Sequence, residues 1–466
     1  MPDPLSPFLR MPYDDIVETH ISWVVLAGDF AWKFKKPVTL PFLDYGTVEK
    51  RRACCEAEVR LNRRYAPGLY IGVENFDGEP AVKMRRFPDA MRLDRVCARN
   101  ELTPAHLSGL ARTLVDFHEA AAVAPPGSRF GEPAQVLAPA LENFEELERL
   151  LPSMRERLLR LGNWTRTEAE RLRETFAARR AAGRVRECHG DLHLGNLVLL
   201  DGKVTPFDCI EFNEDFRWID VASEVAFAWL DLLDHGRPGL ACWLLNEWLA
   251  GSGDFGALSV LRFYAAYRAL VRAKVAAIQG RKDEAAEYLS MAERIAVPPA
   301  LTLTITHGLS GCGKTTASTA RLLADPEGAI VRLRSDVERK RLFGLPPDAD
   351  SRSEIEGGIY APGATERTYA RLLELSEAAL SAGWPVIADA AFLRRAERDD
   401  FRRLAARLAV PFAILAPSAP VEELRRRILA RQGTGDASEA TLAVLEKQFG
   451  WIEPLAEEER PYRLAA

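Results

Sequence analysis

The stretch His189–Asn196, HGDLHLGN, and the twelve residues after it, LVLLDGKVTPFD, decide the fold of the first half of the chain. Asp201-Gly202 is a two-residue hairpin turn. If it closes the hairpin, Leu200 pairs with Lys203 and the ladder sets Asn196 opposite Phe207. Asp208 is the next residue, so Asn196 and Asp208 leave the open end side by side, close enough to share one cation. Their oxygens suit Mg²⁺, which takes a few protein oxygens together with water and phosphates. Pro206 cannot donate to a ladder, which implies an edge or a bulge there.

Asp191 lies five residues before Asn196. An Asp, an Asn five residues on, a hairpin and a second Asp is the order in which kinases carry a base and two metal ligands. These residues resemble the aminoglycoside phosphotransferase and choline kinase-like family, whose catalytic loop reads HGDxHxGN. The resemblance spans roughly residues 15–290. It implies that Asp191 orients or deprotonates an acceptor hydroxyl and that Asn196 and Asp208 hold Mg²⁺. His189 and His193 are then expected to brace the loop. Asp220, ahead of an apolar helix, is expected to cap that helix or to form a buried pair with the loop.

Such a fold needs a strand Lys and a helix Glu to position phosphates. AWKFKK (31–36) offers Lys33, Lys35 and Lys36. Lys33 and Lys35 share one face of an alternating strand, so period does not choose between them; Lys33 is favoured. In the following helix Glu56 and Glu58 compete. Glu58, with Asn62 four residues on, is favoured. No GxGxxG loop precedes them, and the second metal ligand sits in FDCIEF instead of DFG, which leaves regulation of the protein-kinase type without support.

A second signature lies at Gly308–Thr315, GLSGCGKT, after the alternating run LTLTITH. This is the P-loop, or Walker A, pattern. Amides of the loop and of the helix after it would cradle phosphates, with Gly308, Ser310, Gly311, Cys312, Gly313, Lys314, Thr315 and Thr316 as the nucleotide-binding residues. Lys314 would reach the β- and γ-phosphates and Thr315 would hold Mg²⁺. Two later strands end at Asp336 and Asp389. Strand C-termini line the ligand crevice of a parallel sheet. Asp336 is therefore the candidate base on an acceptor hydroxyl, and Asp389 is placed to bind Mg²⁺ through water or to meet the acceptor. Arg427 and Arg431, at i and i+4, could clamp the transferring phosphoryl group. Each also has a plainer reading: a helix cap, a structural acid and a solvated helix face. This half is similar to polynucleotide 5′-kinases, zeta-toxin-like kinases and gluconate kinases, and Asp336 with Arg339 resembles the acceptor motif of the first two.

The expected organisation is an α+β, bilobal, protein-kinase-like domain over residues 1–295, then an α/β P-loop domain with a parallel sheet over 300–466, with AVPPA (296–300) as linker. The whole chain resembles bacterial proteins that fuse an aminoglycoside phosphotransferase-like domain to a P-loop ATP-binding domain of AAA type. ATP and Mg²⁺ are the expected cofactors. The expected function is a bifunctional ATP-dependent kinase acting on hydroxyls of small-molecule acceptors. Two other readings stand beside it: one half senses nucleotide and regulates the other, or the second half is a polynucleotide 5′-kinase. Glu211, Glu214 and Asp215 near the first metal site would suit a cationic acceptor, though not only that.

The 466 residues carry 47% hydrophobic and 28% charged residues and a net charge of −5. That is ordinary for a globular protein and argues against a general nucleic-acid coat. The seven scattered Cys suggest reduced thiols in the cytoplasm. The N-terminal residues show no basic start followed by an apolar run, and no apolar run approaches the ~18 residues of a membrane span.

Overall fold

The computed structural model describes residues 12–40, 42–347, 349, 363–431 and 441–464. They form two units. The first is 1–235 with 263–292; the second is 236–262 with 293–466.

In the first unit, short β-branched and aromatic runs pair into an antiparallel sheet. Its strands are β1 (Asp15–Glu18), β2 (Ser22–Ala27), β3 (Phe30–Lys35), β6 (Tyr70–Phe76) and β7 (Glu79–Arg85), in the order β1-β2-β3-β7-β6. A small ribbon, β4 (Thr39–Leu40) with β5 (Leu43–Asp44), leads into helix α1 (Val48–Asn62). Thr47 caps α1, its side chain accepting from the Lys50 amide. Strand β3 alternates as its sequence dictates. Trp32 and Phe34 join Val25 and Ala81 on one face, while Ala31 packs with Cys55, Val59 and Val82 on the other, beside α1. Lys33 and Lys35 share the face of Ala31, and so point to the helix side.

The larger lobe is helical: α2 (Leu93–Ala98), α3 (Pro104–Ala120), α4 (Pro133–Leu150), α5 (Arg155–Arg171), α6 (Arg173–Ala181) and α7 (Val221–Asp234). Between α6 and α7 run β8 (Val185–Glu187), β9 (Leu197–Leu200), β10 (Lys203–Pro206) and β11 (Trp218–Asp220). β9 and β10 pair Leu200 with Lys203 and Leu197 with Pro206, and the Phe207 amide donates to the Asn196 carbonyl at 3.0 Å. That is the expected register. Pro206 is tolerated because this sheet has two strands and therefore only edges.

Helix α8 (Pro238–Ser252) belongs to the second unit; α9 (Leu258–Ile278) begins there and α10 (Lys282–Ala296) ends there. The rest of that unit is a parallel sheet of β12 (Leu303–Thr306), β13 (Val331–Arg334), β14 (Val386–Asp389), β15 (Phe412–Leu415) and β16 (Arg463–Leu464), in the order β13-β14-β12-β15-β16. Its helices are α11 (Lys314–Leu323), α12 (Ser335–Leu342), α13 (Ala364–Ser381), α14 (Arg395–Arg407), α15 (Val421–Arg431) and α16 (Leu442–Trp451). Among the described residues no helix is long and apolar enough to cross a membrane.

The expected domain limits, 1–295 and 300–466, differ from this division at 236–262 and at 293–295. Residues 236–262 lie with the second unit because α8 covers the edge strand β13. The Asn246 carboxamide accepts from the Arg332 amide at 2.6 Å and donates to the Ile330 carbonyl at 2.7 Å, replacing a neighbouring strand. Trp243 stacks on the Arg332 guanidinium, and Trp384 Nε1 donates to the Leu258 carbonyl. Asn246→Leu leaves the Arg332 amide without its acceptor, while the Ile330 carbonyl keeps the Cys242 thiol at 3.2 Å, and should cost about 1–3 kcal/mol. Hydrogen exchange at the Arg332 amide reads this directly; unchanged protection would refute it.

Candidate active sites

The loop 189–196 is fixed from below by two acids of α7. Glu224 accepts from the His189 amide at 2.6 Å and from Tyr65 Oη at 3.1 Å, and Asp231 accepts from the Leu194 amide at 2.7 Å. Both acids are buried, seven residues apart on one helical face. Burial opposes the charge on Glu224, but His118 and the His189 amide hold its carboxyl well below the usual range. Asp220 caps α7 through the Ala222 amide and forms a buried two-pronged pair with Arg179 at 2.6 and 2.8 Å, not with the loop. Neither Glu224 nor Asp231 was singled out from sequence. Their signal was an acid inside the otherwise apolar run VASEVAFAWLDLL, where a buried carboxylate demands donors.

Gly190 sits at φ +89°, and a Cβ there would come within 2.6 Å of the Phe216 carbonyl oxygen. Gly190→Ala should therefore displace the loop and remove first-site activity while the rest of the unit stays folded. Circular dichroism alongside phosphoryl transfer tests this, and an active variant would refute it.

His189 Nε2 donates to the Phe207 carbonyl at 2.8 Å, and its Nδ1 accepts from the Asp191 amide at 3.3 Å. Burial keeps this ring neutral by lowering its pKa. His193 Nδ1 accepts from the Gly195 amide at 3.1 Å, and its Nε2 faces Asp191 Oδ2 at 3.4 Å. Both rings brace the loop. Asn196 Nδ2 donates to the Asp191 carbonyl and to Asp191 Oδ2 at 3.0 and 2.9 Å, which aims its own Oδ1 elsewhere. The surroundings disfavour charge on Asp191, yet His193 outweighs them and holds its carboxyl well below the usual range. A carboxyl held below the usual range stays ionised at neutral and mildly acidic pH, so an acid limb in first-site rates should not come from Asp191.

Asp208 adopts φ +65° and is partly exposed. Its amide donates to Tyr70 Oη at 3.0 Å, and its carboxylate pairs with Lys33. Lys33 also meets Glu58 Oε1 at 3.0 Å, while Lys35 meets Glu58 Oε2 at 2.7 Å. Both lysines thus reach Glu58, but only Lys33 reaches Asp208. Glu56 is exposed. Asn62 completes the link, its Nδ2 donating to the Glu58 carbonyl and its Oδ1 accepting from the Cys209 amide. Glu211 is buried, and its carboxylate pairs with Lys35 and Tyr45. Burial opposes the charge on both lysines; Asp208 and Glu58 for Lys33, and Glu211 and Glu58 for Lys35, raise their pKa values regardless.

In the second unit the P-loop joins β12 to α11. The first helical bond runs from the Ala317 amide to the Gly313 carbonyl. The amides of Lys314, Thr315 and Thr316 therefore lack acceptors within the helix, as an anion site requires. Gly311 has φ +82°, and a Cβ there would meet the Leu424 carbonyl oxygen at 2.9 Å. Lys314 Nζ donates to the Gly308 and Leu309 carbonyls, each at 2.8 Å. Cys312 is buried against Leu424, Ile428 and Leu445. The Ser310 amide is already taken by Gln448 Oε1 of α16 at 2.8 Å, a contact the motif does not reveal.

Asp389, at the end of β14, is buried and accepts from Ser318 of α11 at 2.8 Å, one turn beyond Thr315. Arg332 donates to Ser318 and Thr319 at 3.4 and 2.8 Å, extending the network to β13. Asp336 is the second residue of α12 and does not cap it; Arg334 holds the cap position, without a capping side chain. Among the described residues the Asp336 carboxylate has no partner. Arg427 is exposed, pairing with Glu423 and donating to the Gly311 carbonyl at 3.3 Å. The side chain of Arg431 lies outside the described residues.

Two family models match the chain: a phosphotransferase enzyme family over residues 92–267 and an AAA domain over residues 303–455. With the fold, they define a chain of two domains, one of the phosphotransferase enzyme family and one an AAA domain built on a P-loop. The chain belongs to the family of an uncharacterised protein of Mycobacterium tuberculosis, with 32% identity over 461 residues that cover 96% of this chain and 92% of that one. A Mycobacterium bovis protein matches to the same extent. Among solved structures, an aminoglycoside phosphotransferase in complex with GDP and kanamycin is 13% identical with a TM-score of 0.39, covering 62% of this chain and 96% of its own. A choline kinase of Cryptosporidium parvum is 9% identical with a TM-score of 0.42, covering 61% and 88%.

Proposed function

We propose that the chain is a bifunctional ATP·Mg²⁺-dependent phosphotransferase of the cytoplasm, each unit passing the γ-phosphoryl group to a hydroxyl of a small-molecule acceptor. The observation that carries this reading is that the first unit holds both an Asp191 braced by Asn196 and His193 and a Lys33–Glu58–Asp208 ion-pair group. Lys33 would turn to the nucleotide phosphates. Asp191 would accept a hydrogen bond from the attacking hydroxyl; with so low a pKa it aligns the hydroxyl more than it deprotonates it.

Asn196 Oδ1 and Asp208 are oxygen donors of the kind Mg²⁺ takes, and would hold it in the first unit; Thr315 and Asp389 would do so in the second. When bound, the metal neutralises charge on the transferred phosphoryl group. In the second unit Lys314 would hold phosphates, and Asp336, which has no partner among the described residues, would receive the acceptor hydroxyl. Arg427 would cross to the phosphoryl group.

A phosphoacceptor screen with radiolabelled ATP on the wild type, Asp191→Ala and Lys314→Ala tests the reading. Two separable activities are expected, each lost in one variant. A product confined to single-stranded oligonucleotides would move the second unit to the polynucleotide kinase reading.

A further inference from the structure

Two lysines on one strand reach the same glutamate, and only one is needed to position phosphates. Their surroundings differ. Lys33 is 11% exposed and touches Asp208; Lys35 is 0% exposed and cannot meet a nucleotide from where it lies. Lys35 instead joins Glu58 to Glu211, and Tyr45 Oη lies 3.3 Å from its Nζ. Tyr45 is fixed at the entry to α1, where its carbonyl accepts from Arg51 at 2.9 Å and Arg51 pairs with Glu79. Glu211 follows Asp208 by three residues on the same segment.

The five charges therefore run Asp208, Lys33, Glu58, Lys35, Glu211, alternating in sign from the partly exposed end to the buried one. When Lys33 turns to a phosphate, Asp208 loses its charge and Glu58 must share it. Lys35 is then the one cation in this run held wholly by protein carboxylates, and it keeps Glu58 in place. Through Glu211 it also tethers the segment that holds Asp208 at φ +65°.

We infer that Lys35, Glu211 and Tyr45 are positioning residues of the first site: a buried anchor that holds Glu58 and the Asp208 segment while Lys33 exchanges its partners. This rests on the phosphotransfer reading of that site. The anchor acts on metal binding, through Asp208, and not on the phosphates.

The test uses the full chain with Lys314→Ala, which weakens nucleotide binding at the P-loop, and follows binding of the non-hydrolysable analogue AMP-PNP by calorimetry at graded Mg²⁺ in the tighter, first-site range. Glu211→Gln should raise the half-saturating Mg²⁺ about tenfold, with metal-free AMP-PNP affinity unchanged within about twofold. Lys33→Met should do the reverse, weakening metal-free binding. Because a single unpaired charge can unfold the lobe, the double variant Lys35→Met/Glu211→Leu removes both charges together. It should melt as the parent does and still need about tenfold more Mg²⁺. If the double variant keeps the parent's Mg²⁺ requirement, the anchor is structural only and the inference is overturned. If the Lys314→Ala parent binds no AMP-PNP at all, the phosphotransfer reading of the first site falls, and the inference falls with it.

Discussion

Asp191→Asn should lower phosphoryl transfer at the first site about a thousandfold and leave nucleotide affinity there within about twofold. The two readouts separate because Asp191 stands apart from the group proposed to hold the phosphates. Its carboxylate is held by Asn196 Nδ2 at 2.9 Å and faces His193 Nε2 at 3.4 Å, whereas Lys33, Glu58 and Asp208 form their own ion pairs. Asn keeps the shape and so keeps the loop, which Glu224 and Asp231 anchor through backbone amides. It loses the charge that aligns a hydroxyl, a loss of about 4 kcal/mol in barrier terms. Transfer is measured with radiolabelled ATP and whichever acceptor the wild type uses. Binding is measured in the Lys314→Ala background. A variant with wild-type transfer would remove Asp191 from the reaction, and one with abolished nucleotide binding would show that it holds the nucleotide.

The parts of this site that were legible in sequence are those fixed by short-range geometry. Asp201-Gly202 forces the hairpin register, and the register sets the Phe207 amide on the Asn196 carbonyl. The P-loop is equally local, seven residues between a strand and a helix. The choice between Lys33 and Lys35 was not legible, because a strand of period two puts both on one face. What separates them is Asp208, 175 residues from Lys33 along the chain. Glu224, Asp231 and Gln448 were missed for the same reason. Each meets a backbone amide of a distant loop, and a donor of that kind carries no side-chain signature. The packing of α8 was not legible for a different reason. α8 reads as a continuation of the helices before it, and only the edge of β13, some 85 residues on, explains where it packs.

Lys314→Ala should weaken Mg²⁺·ATP binding at the second site about 10- to 100-fold, the scale of charge-assisted hydrogen bonds to phosphate. In the free protein the ammonium lies on the Gly308 and Leu309 carbonyls at 2.8 Å, so the loop already holds a cation at its mouth. Those two bonds go to neutral acceptors at a partly exposed position, so their loss should cost about 1 kcal/mol of stability. The glycine at φ +82° and the buried Cys312 cluster keep the loop's course without the lysine. Calorimetry in a Lys33→Met background, which suppresses the first site, isolates the effect. Product formation then decides between one catalyst and two. If Lys314→Ala removes only the second product, the units work independently. If it silences the first site as well, Lys314 serves a nucleotide sensor, and the second unit is the regulator of the first.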